Sequence, residues 1–180
     1  LVKAGKVRYL GASAMYTWQF AKAQFIAEKH DWTKFVSMQN HLNLLYREEE
    51  REMIPFCEDQ KIAITPYSPL ASGRLTRDWT GDTKRSLTDQ TSKMKYDQTM
   101  DQDRVIVERV AQVAEELDVK RAQVALAWLM QKEVVTVPII GATKESHLLD
   151  ALPAIDVTLT PEQVAFLEEP YLPHQVVGAR

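Results

Sequence analysis

Short apolar runs alternate with segments of helical spacing along this chain, and no other feature constrains its fold as tightly. The runs are rich in β-branched residues and apolar almost throughout, a pattern typical of parallel strands covered on both faces. Four runs share this pattern: KVRYLGAS at 6–13, KFVSMQNHLN at 34–43, KIAITPYSP at 61–69 and VVTVPIIGAT at 134–143. Each predicts a strand of a parallel sheet.

Helical patterns follow the runs. Behind the first run, four apolar residues recur at helical spacing: Trp18, Ala21, Phe25 and Ile26. The helix predicted over 47–61 begins with acidic residues, and Pro55 predicts a kink or an irregular last turn there. Further helices are predicted over 104–117, over 121–132 and from 144 onward. A last one is predicted from the capping box of Thr160 and Gln163.

A polar stretch from Ser72 to Gln102 interrupts this alternation, and its composition predicts a long, mobile loop. Trp79 lies within it, and two interpretations stay open: a wall of a substrate cleft or an exposed loop aromatic. Trp18 and Trp128, which lie in helical patterns, are predicted to belong to the core, and Cys57 is predicted to be a buried apolar residue.

Repeated strand-helix units favour a parallel α/β sheet, either open and doubly wound or closed as a barrel. The doubly wound dinucleotide fold needs a glycine-rich turn after its first strand, and YLGASAMY has one glycine. Barrels place their chemistry at the carboxyl ends of the strands. Polar residues follow the apolar runs here, as a barrel requires.

Charge and composition exclude several classes of partner. A formal net charge of -3 disfavours nucleic acid and anionic membranes, which need clustered basic residues. A single cysteine, Cys57, permits neither an internal disulfide nor a multi-cysteine metal cluster and favours a reducing compartment. No run approaches the roughly 20 apolar residues that span a bilayer. We therefore expect a cytoplasmic protein without a metal site, and, since the sequence opens on Leu1, a piece of a longer one.

Five segments together resemble the aldo-keto reductases, in the order and spacing of that family and over nearly the whole chain: VRYLGAS, VSMQNHLNLLYREEEREMIPFC, TPYSPLASGRL, AQVALAWL and VPIIGATKESHL. The resemblance implies the fifth to eighth units of a (β/α)8 barrel. Residues 1–180 would then form a single half-barrel domain, the C-terminal half of a TIM barrel with four parallel strands and helices on the outside. Residues 1–5 would end the fourth helix.

The same resemblance assigns a nicotinamide site to the strand ends. Tyr67 would stack on the nicotinamide, while Gln39 and Ser13 would hold its carboxamide. An aromatic ring suits a flat heterocycle, and amide groups suit the donor and acceptor pattern of a carboxamide. Family members often have an asparagine after that serine. This chain has Ala14, which offers no side chain for that hydrogen bond.

The resemblance also assigns residues to the rest of the cofactor. Ser68, Leu70, Ser72 and Arg74 would border the pyrophosphate, and Gly73 would permit close approach of the backbone. Residues after the eighth strand would bind the adenosine end, where a helix start favours an anion: Gly141, Thr143, Lys144, His147 and Asp150. In the family that anion is the 2'-phosphate, so the positive Lys144 favours NADP(H), and Asp150 would reach the adenine.

Several of these residues also have a purely structural interpretation. Tyr67 is also suited to barrel packing, and Lys144 to a solvent-exposed surface. Gln39 and Asn40 would be costly to bury without partners, which favours a functional role for them. His41 is predicted to be structural or to lie behind the site.

No position matches the Asp, Tyr, Lys and His set with which the family protonates its carbonyl substrate, so no catalytic residue is predicted. One hypothesis is the cofactor half of an NADP(H)-dependent reductase of aldehydes and ketones. The alternative is a non-catalytic half-barrel that dimerises and binds NADP(H). In either case the outer strands would have unpaired edges. A missing N-terminal half, or a homodimer that pairs the eighth strand of one copy with the fifth of the other, would cover them.

Overall fold

A parallel sheet organises the fold. The computed structural model describes residues 1–81 and 88–178, and strands β1 (Leu10–Ser13), β2 (Phe35–Gln39) and β3 (Ala63–Ile64) follow one another in the sheet in chain order. All pairs are parallel, with Ser13 opposite Gln39 and Met38 opposite Ile64. The predicted α/β class and these three strands are confirmed.

The fourth predicted strand is only partly formed. Residues 134–140 follow β3 in parallel through two isolated bridges, Ile64 with Val135 and Tyr67 with Ile139. Pro66 and Pro138 lie between these bridges, and a proline has no N–H group to donate to a ladder. The prediction of four full strands is therefore wrong in the number of regular strands, although the fourth segment has the predicted place and direction.

Helices flank these strands. Their bounds in the described residues are α1 Thr17–Lys29, α2 Met53–Asp59, α3 Gln90–Tyr96, α4 Met100–Glu116, α5 Arg121–Met130, α6 Glu145–Ala151 and α7 Pro161–Glu168. Short 3-10 segments cover Glu48–Glu50, Ala71–Thr76, Asp97–Thr99 and Leu152–Asp156. The predicted capping box is confirmed, since Gln163 N–H donates to Thr160 Oγ1 at 3.2 Å and Thr160 N–H to Gln163 Oε1 at 3.0 Å.

Two helix predictions need correction. The helix predicted over 47–61 is interrupted at 51–52, between the 3-10 segment Glu48–Glu50 and α2. Pro55 lies in the first turn of α2, where its missing N–H has no intrahelical partner to lose, so the irregularity predicted from Pro55 precedes α2 and is not in its last turn. The loop predicted from Ser72 to Gln102 is wrong over 90–102, which is helical in α3, the following 3-10 turn and the start of α4. The Asp89 side chain begins α3 by accepting a hydrogen bond from Ser92 N–H at 2.9 Å. Residues 82–87 of that predicted loop lie outside the described residues.

The core lies between the sheet and the helices. Trp128 is 1% exposed and Cys57 is fully buried, as predicted, but Trp18 is 63% exposed. The helix α1 buries Phe20, Gln24 and Ala27 and leaves its predicted apolar stripe largely outside. In the part of the chain that the structure describes, no helix is long and apolar enough to cross a membrane.

Candidate functional site

A cavity of about 990 Å³ opens beside the carboxyl end of β3. One wall is the turn after β3, the opposite wall is the segment that leads into α6, and a third comes from the junction of α4 and α5. Eight of the thirteen residues predicted to bind the cofactor line it: Tyr67, Ser68, Leu70, Ser72, Gly73, Gly141, His147 and Asp150. The five others lie outside the lining: Ser13, Gln39, Arg74, Thr143 and Lys144.

The turn after β3 has an unusual backbone. The φ angles of Ser68, Ala71, Ser72 and Gly73 are 56°, 47°, 58° and 90°, in the left-handed region that only glycine adopts without cost. Asn43 holds the start of this turn, because its side-chain amide donates to the Ser68 carbonyl at 2.9 Å. Strain of this kind collects at ligand-binding segments, and here it shapes one wall of the cavity.

An aromatic stack supports Tyr67 from below the cavity. The His41 ring lies between Tyr46 and Tyr67, with ring centroids 4.2 Å and 5.1 Å away and interplanar angles of 14° and 10°. His41 Nε2 and the Tyr96 hydroxyl form a hydrogen bond of 2.7 Å, and the Asn43 amide donates to that hydroxyl at 3.1 Å. Burial, with smaller contributions from Lys95 and His174, lowers the pKa of His41 to about 3, so the imidazole is neutral at pH 7.

Lys95, on α3, covers part of the Tyr67 ring. Its ammonium lies 4.4 Å from the ring centroid and donates to the Tyr67 hydroxyl at 3.1 Å. Burial lowers the pKa of Lys95, and the charge of Asp89 opposes that shift. The sequence offers no signal for this contact, since 28 positions and a polar stretch separate the two residues.

Further charges lie on the wall formed by α4 and α5. Lys120 and Arg121 line the cavity next to Glu115 and Asp118. Lys120 Nζ lies 2.5 Å from Asp150 Oδ1, so Asp150 has a cationic partner in this structure. Sequence reasoning missed both basic residues, because a basic pair at a helix start is equally typical of a solvated surface.

The comparisons with known proteins agree with this architecture. The model of the aldo/keto reductase family matches residues 1–171. This chain belongs to the aldo/keto reductase family. A Schizosaccharomyces pombe protein named "Putative aryl-alcohol dehydrogenase" is 45% identical over 181 residues, which cover 99% of this chain and 50% of that protein. Versiconal hemiacetal acetate reductase of Aspergillus parasiticus is 41% identical over 98% of this chain and 52% of its own length.

An aldo-keto reductase of Fusarium vanettenii is 44% identical over 99% of this chain and 48% of its own length. The chain therefore spans about half the length of the curated relatives that it matches.

Among the residues that the aldo-keto reductase resemblance assigns to the carboxamide, Ser13 and Gln39 are neighbours. They are paired across β1 and β2, and Ser13 Oγ donates to the Gln39 carbonyl at 3.0 Å. Ala14 follows with a φ of 40°, a conformation that asparagine adopts more readily than alanine. Asn40 is fully buried, and neither polar atom of its side chain has a partner among the described residues.

Arg74 and Lys144, two basic residues of the predicted aldo-keto reductase site, differ in their exposure and contacts. Arg74 is 8% exposed, forms an ion pair with Asp97, and lies 5.7 Å and 5.6 Å from the ring centroids of Trp79 and Tyr96. Trp79 is half-buried and donates its indole N–H to the Arg74 carbonyl at 2.9 Å, so it belongs to this cluster and is not an exposed loop aromatic. Lys144 and the neighbouring Thr143 are exposed just before α6.

Proposed function

We propose that this chain is the cofactor-binding half of an NADP(H)-dependent aldo-keto reductase that reduces aldehydes or ketones in the cytoplasm. One observation carries the proposal. Eight residues that the family resemblance assigns to the cofactor, from segments about 70 positions apart, line one cavity of about 990 Å³. That volume suits a large ligand, since ligand sites typically measure about 300–1,000 Å³.

The lining suggests how the cofactor would be held. Tyr67 offers a ring face for the nicotinamide, and its support by neutral His41 keeps that ring in place. The strained turn would bring backbone groups close to the pyrophosphate, where Gly73 leaves room for the approach. Lys120 and Arg121, which line the cavity, and Lys144, which is exposed just before α6, would supply positive charge for the phosphates. The cofactor, when bound, would supply the hydride.

We also propose that this fold is the C-terminal half of a (β/α)8 barrel and that an N-terminal half, or a second copy of this chain, completes it. Within the described residues, β1 pairs on one side only, and so does the segment 134–140. Val36 in β2 and Val137 and Ile139 in the segment 134–140 are 44%, 52% and 40% exposed. Apolar strand residues of this kind are usually covered.

A titration with NADPH tests cofactor binding directly. We expect a saturable signal by isothermal calorimetry. Lys144→Ala should weaken NADPH binding about tenfold and leave NADH binding unchanged, because a charge-assisted hydrogen bond to phosphate contributes roughly 1.5 kcal/mol. Lys29→Ala is the matched control, an exposed lysine at the end of α1, and should bind like the parent chain. The absence of saturable NADPH binding would refute the proposal.

The second candidate is a half-barrel module that binds NADP(H) without turnover. The contact that favours it is Lys95 on the Tyr67 ring, since it occupies space that a productive nicotinamide needs. Oxidation of NADPH by the purified chain with benzaldehyde, chosen because a relative is named for aryl alcohols, separates the two candidates. Turnover that persists through further purification would eliminate the non-catalytic module.

Sedimentation tests the homodimer. If a second copy closes the barrel, the mass at micromolar concentration should be twice the 20.6 kDa of one chain. A compact and stable monomer would contradict the homodimer and leave a separate N-terminal half as the completing part.

A further inference from the structure

The last described segment of the chain, residues 171–178 (the strap), lies across the protein without regular secondary structure. Tyr171, His174 and Val177 are less exposed than the residues between them, so every third residue of the strap lies against the protein. Tyr171 and Val177 also pack against the hydrophobic core. The strap is therefore docked on the rest of the chain at three regularly spaced points.

Charged side chains anchor the strap in its middle. The Tyr171 hydroxyl and the His174 N–H group both donate to Glu48 Oε1 at 2.8 Å. Burial by itself would raise the pKa of Glu48, but these two hydrogen bonds and Arg51 hold it below its ordinary value, so the acceptor is a carboxylate at pH 7. His174 Nε2 also lies 3.0 Å from Asp103 Oδ1, and both side chains are buried. The strap is thus fixed to the segment after β2 and to α4.

The end of the strap reaches both outer rings of the aromatic stack. Val177 N–H donates to the Tyr46 hydroxyl at 3.1 Å. Gly178 lies against the Tyr67 hydroxyl, because a Cβ atom added to Gly178 would be 3.1 Å from that oxygen. The His41 ring lies between these two tyrosines. Two consecutive residues of the strap therefore hold the hydroxyl ends of the stack on both sides of His41.

Face contacts alone do not fix such a stack. Stacked rings keep their separation but can slide and turn in their planes, whereas a hydrogen bond to a hydroxyl group fixes a direction. Tyr67 lines the cavity, and Tyr46 lies outside its lining. Lys95 also donates to the Tyr67 hydroxyl at 3.1 Å, so α3 and the strap hold the same end of that ring. A wall that is fixed in advance reduces the entropy that ligand binding costs.

We propose that the strap positions the aromatic stack beside the cavity, with Tyr46 as a positioning residue that acts on Tyr67 through the His41 ring. The inference rests on the proposed function, because it takes the cavity lined by Tyr67 as the NADP(H) site. Docking of the strap and binding of the ligand then stabilise each other, since coupling between two sites is reciprocal. NADPH should protect the strap, and a chain with a loosened strap should bind NADPH less tightly.

The first test measures hydrogen exchange of the Val177 amide by NMR and the dissociation constant of NADPH by isothermal calorimetry. In the parent chain, saturating NADPH should slow this exchange. Tyr46→Phe keeps the stacked ring and removes the hydroxyl that accepts from Val177 N–H. It should speed the exchange about fivefold, the effect of one hydrogen bond, and weaken NADPH binding about two- to fivefold. Tyr9→Phe makes the same change at a residue that is 72% exposed, and it should alter neither quantity.

The second test changes the other contact of the strap. Gly178→Ala places a methyl group 3.1 Å from the Tyr67 hydroxyl oxygen at a φ of 90°, so the strap end or the ring must shift. Gly5→Ala imposes a similar backbone strain at a φ of 69°, with no described atom within 4 Å of its Cβ atom. NADPH binding should weaken about two- to fivefold in Gly178→Ala and stay unchanged in Gly5→Ala. Because Gly178 is exposed, this variant keeps the inference testable if Tyr46→Phe does not fold.

The outcomes are distinguishable. If the parent chain does not bind NADPH, the proposed function fails and the inference fails with it. If the parent chain binds NADPH and both Tyr46→Phe and Gly178→Ala bind it equally tightly, the strap is a structural element and only the inference is overturned. Saturating NADPH that leaves exchange of the Val177 amide unchanged would overturn it as well. Faster exchange with weaker binding in the two variants, and in neither control, supports the inference.

Discussion

The pH dependence of stability should reveal two titratable groups with opposite effects, the buried His41 and the half-buried Glu49. His41 has a pKa of about 3 in the folded chain, lowered mainly by burial from an ordinary value of 6.5. Glu49, whose charge acts on the Tyr67 hydroxyl, has a pKa of about 7, raised by burial from an ordinary value of 4.5. The perturbation that separates them is Glu49→Gln, which keeps the shape of the protonated acid and removes its titration.

Whether each group raises or lowers stability at low pH follows from proton binding in the folded and unfolded states. As the pH falls below 6.5, His41 becomes protonated in the unfolded chain but stays neutral in the folded chain, so the folded state loses stability. Between pH 7.5 and pH 5.0 this loss is about 2 kcal/mol. Folded Glu49 takes up its proton near pH 7, well before the unfolded chain does, so it adds roughly 2 kcal/mol of stability over the same interval. The two contributions nearly cancel in the parent chain.

Urea unfolding at pH 7.5 and pH 5.0, followed by tryptophan fluorescence, measures the change in the free energy of unfolding between the two pH values. When the pH falls from 7.5 to 5.0, the free energy of unfolding of Glu49→Gln should drop by about 2 kcal/mol more than that of the parent chain. For His41→Gln the drop should be about 2 kcal/mol smaller than in the parent chain. Other titrating groups are common to all three proteins and cancel in the comparison. The same pH slope in all three would refute the argument, and so would an NMR titration of His41 with a midpoint above pH 5.

Three further predictions concern stability in the same urea assay. Trp128→Ala should cost about 4 kcal/mol, because Trp128 is 1% exposed and its indole donates to Glu168 at 2.8 Å; a loss below 1 kcal/mol would contradict its place in the core. Ala14→Gly should stabilise the chain by about 0.5 kcal/mol, since glycine accepts the φ of 40° at little cost. Gly73→Ala, at a φ of 90°, should cost about 1 kcal/mol, and Gly81→Ala, with open space around it, should change little; equal effects at the two glycines would contradict the strain argument.

The sequence predicts the parts of this fold that periodicity and caps determine. Continuous apolar runs indicate β1, β2 and β3, and the Thr160 capping box indicates the start of α7. Each of these signals is local and does not depend on what packs against the segment. Polar residues after the runs indicate only that polar groups meet at one edge of the sheet, whereas the eight predicted residues that line the cavity come from the resemblance to the aldo-keto reductases.

Tertiary contacts decide the features that the sequence does not predict. The helix α3 has a polar sequence, and it is held by burial of Tyr96, which is 1% exposed, and by the ion pair of Asp97 with Arg74. The same ion pair keeps Arg74 out of the cavity lining, although its place after the strained turn favours a phosphate contact. Lys95 reaches Tyr67 only because α3 docks there. No local sequence pattern predicts such contacts between residues that lie far apart in the chain.

The helix α1 exposes apolar residues that the sequence pattern predicts to be buried. Helical spacing predicts a buried stripe, yet Trp18 and Phe25 are 63% and 64% exposed. The helix α6 likewise exposes Leu149 at 58%, and Ile155 beyond it is 71% exposed. These helices follow β1 and the segment 134–140, which are the two strands that pair on one side only among the described residues. The segments that follow both open edges of the sheet thus expose apolar residues, and the barrel that we propose would need a partner to cover the two edges.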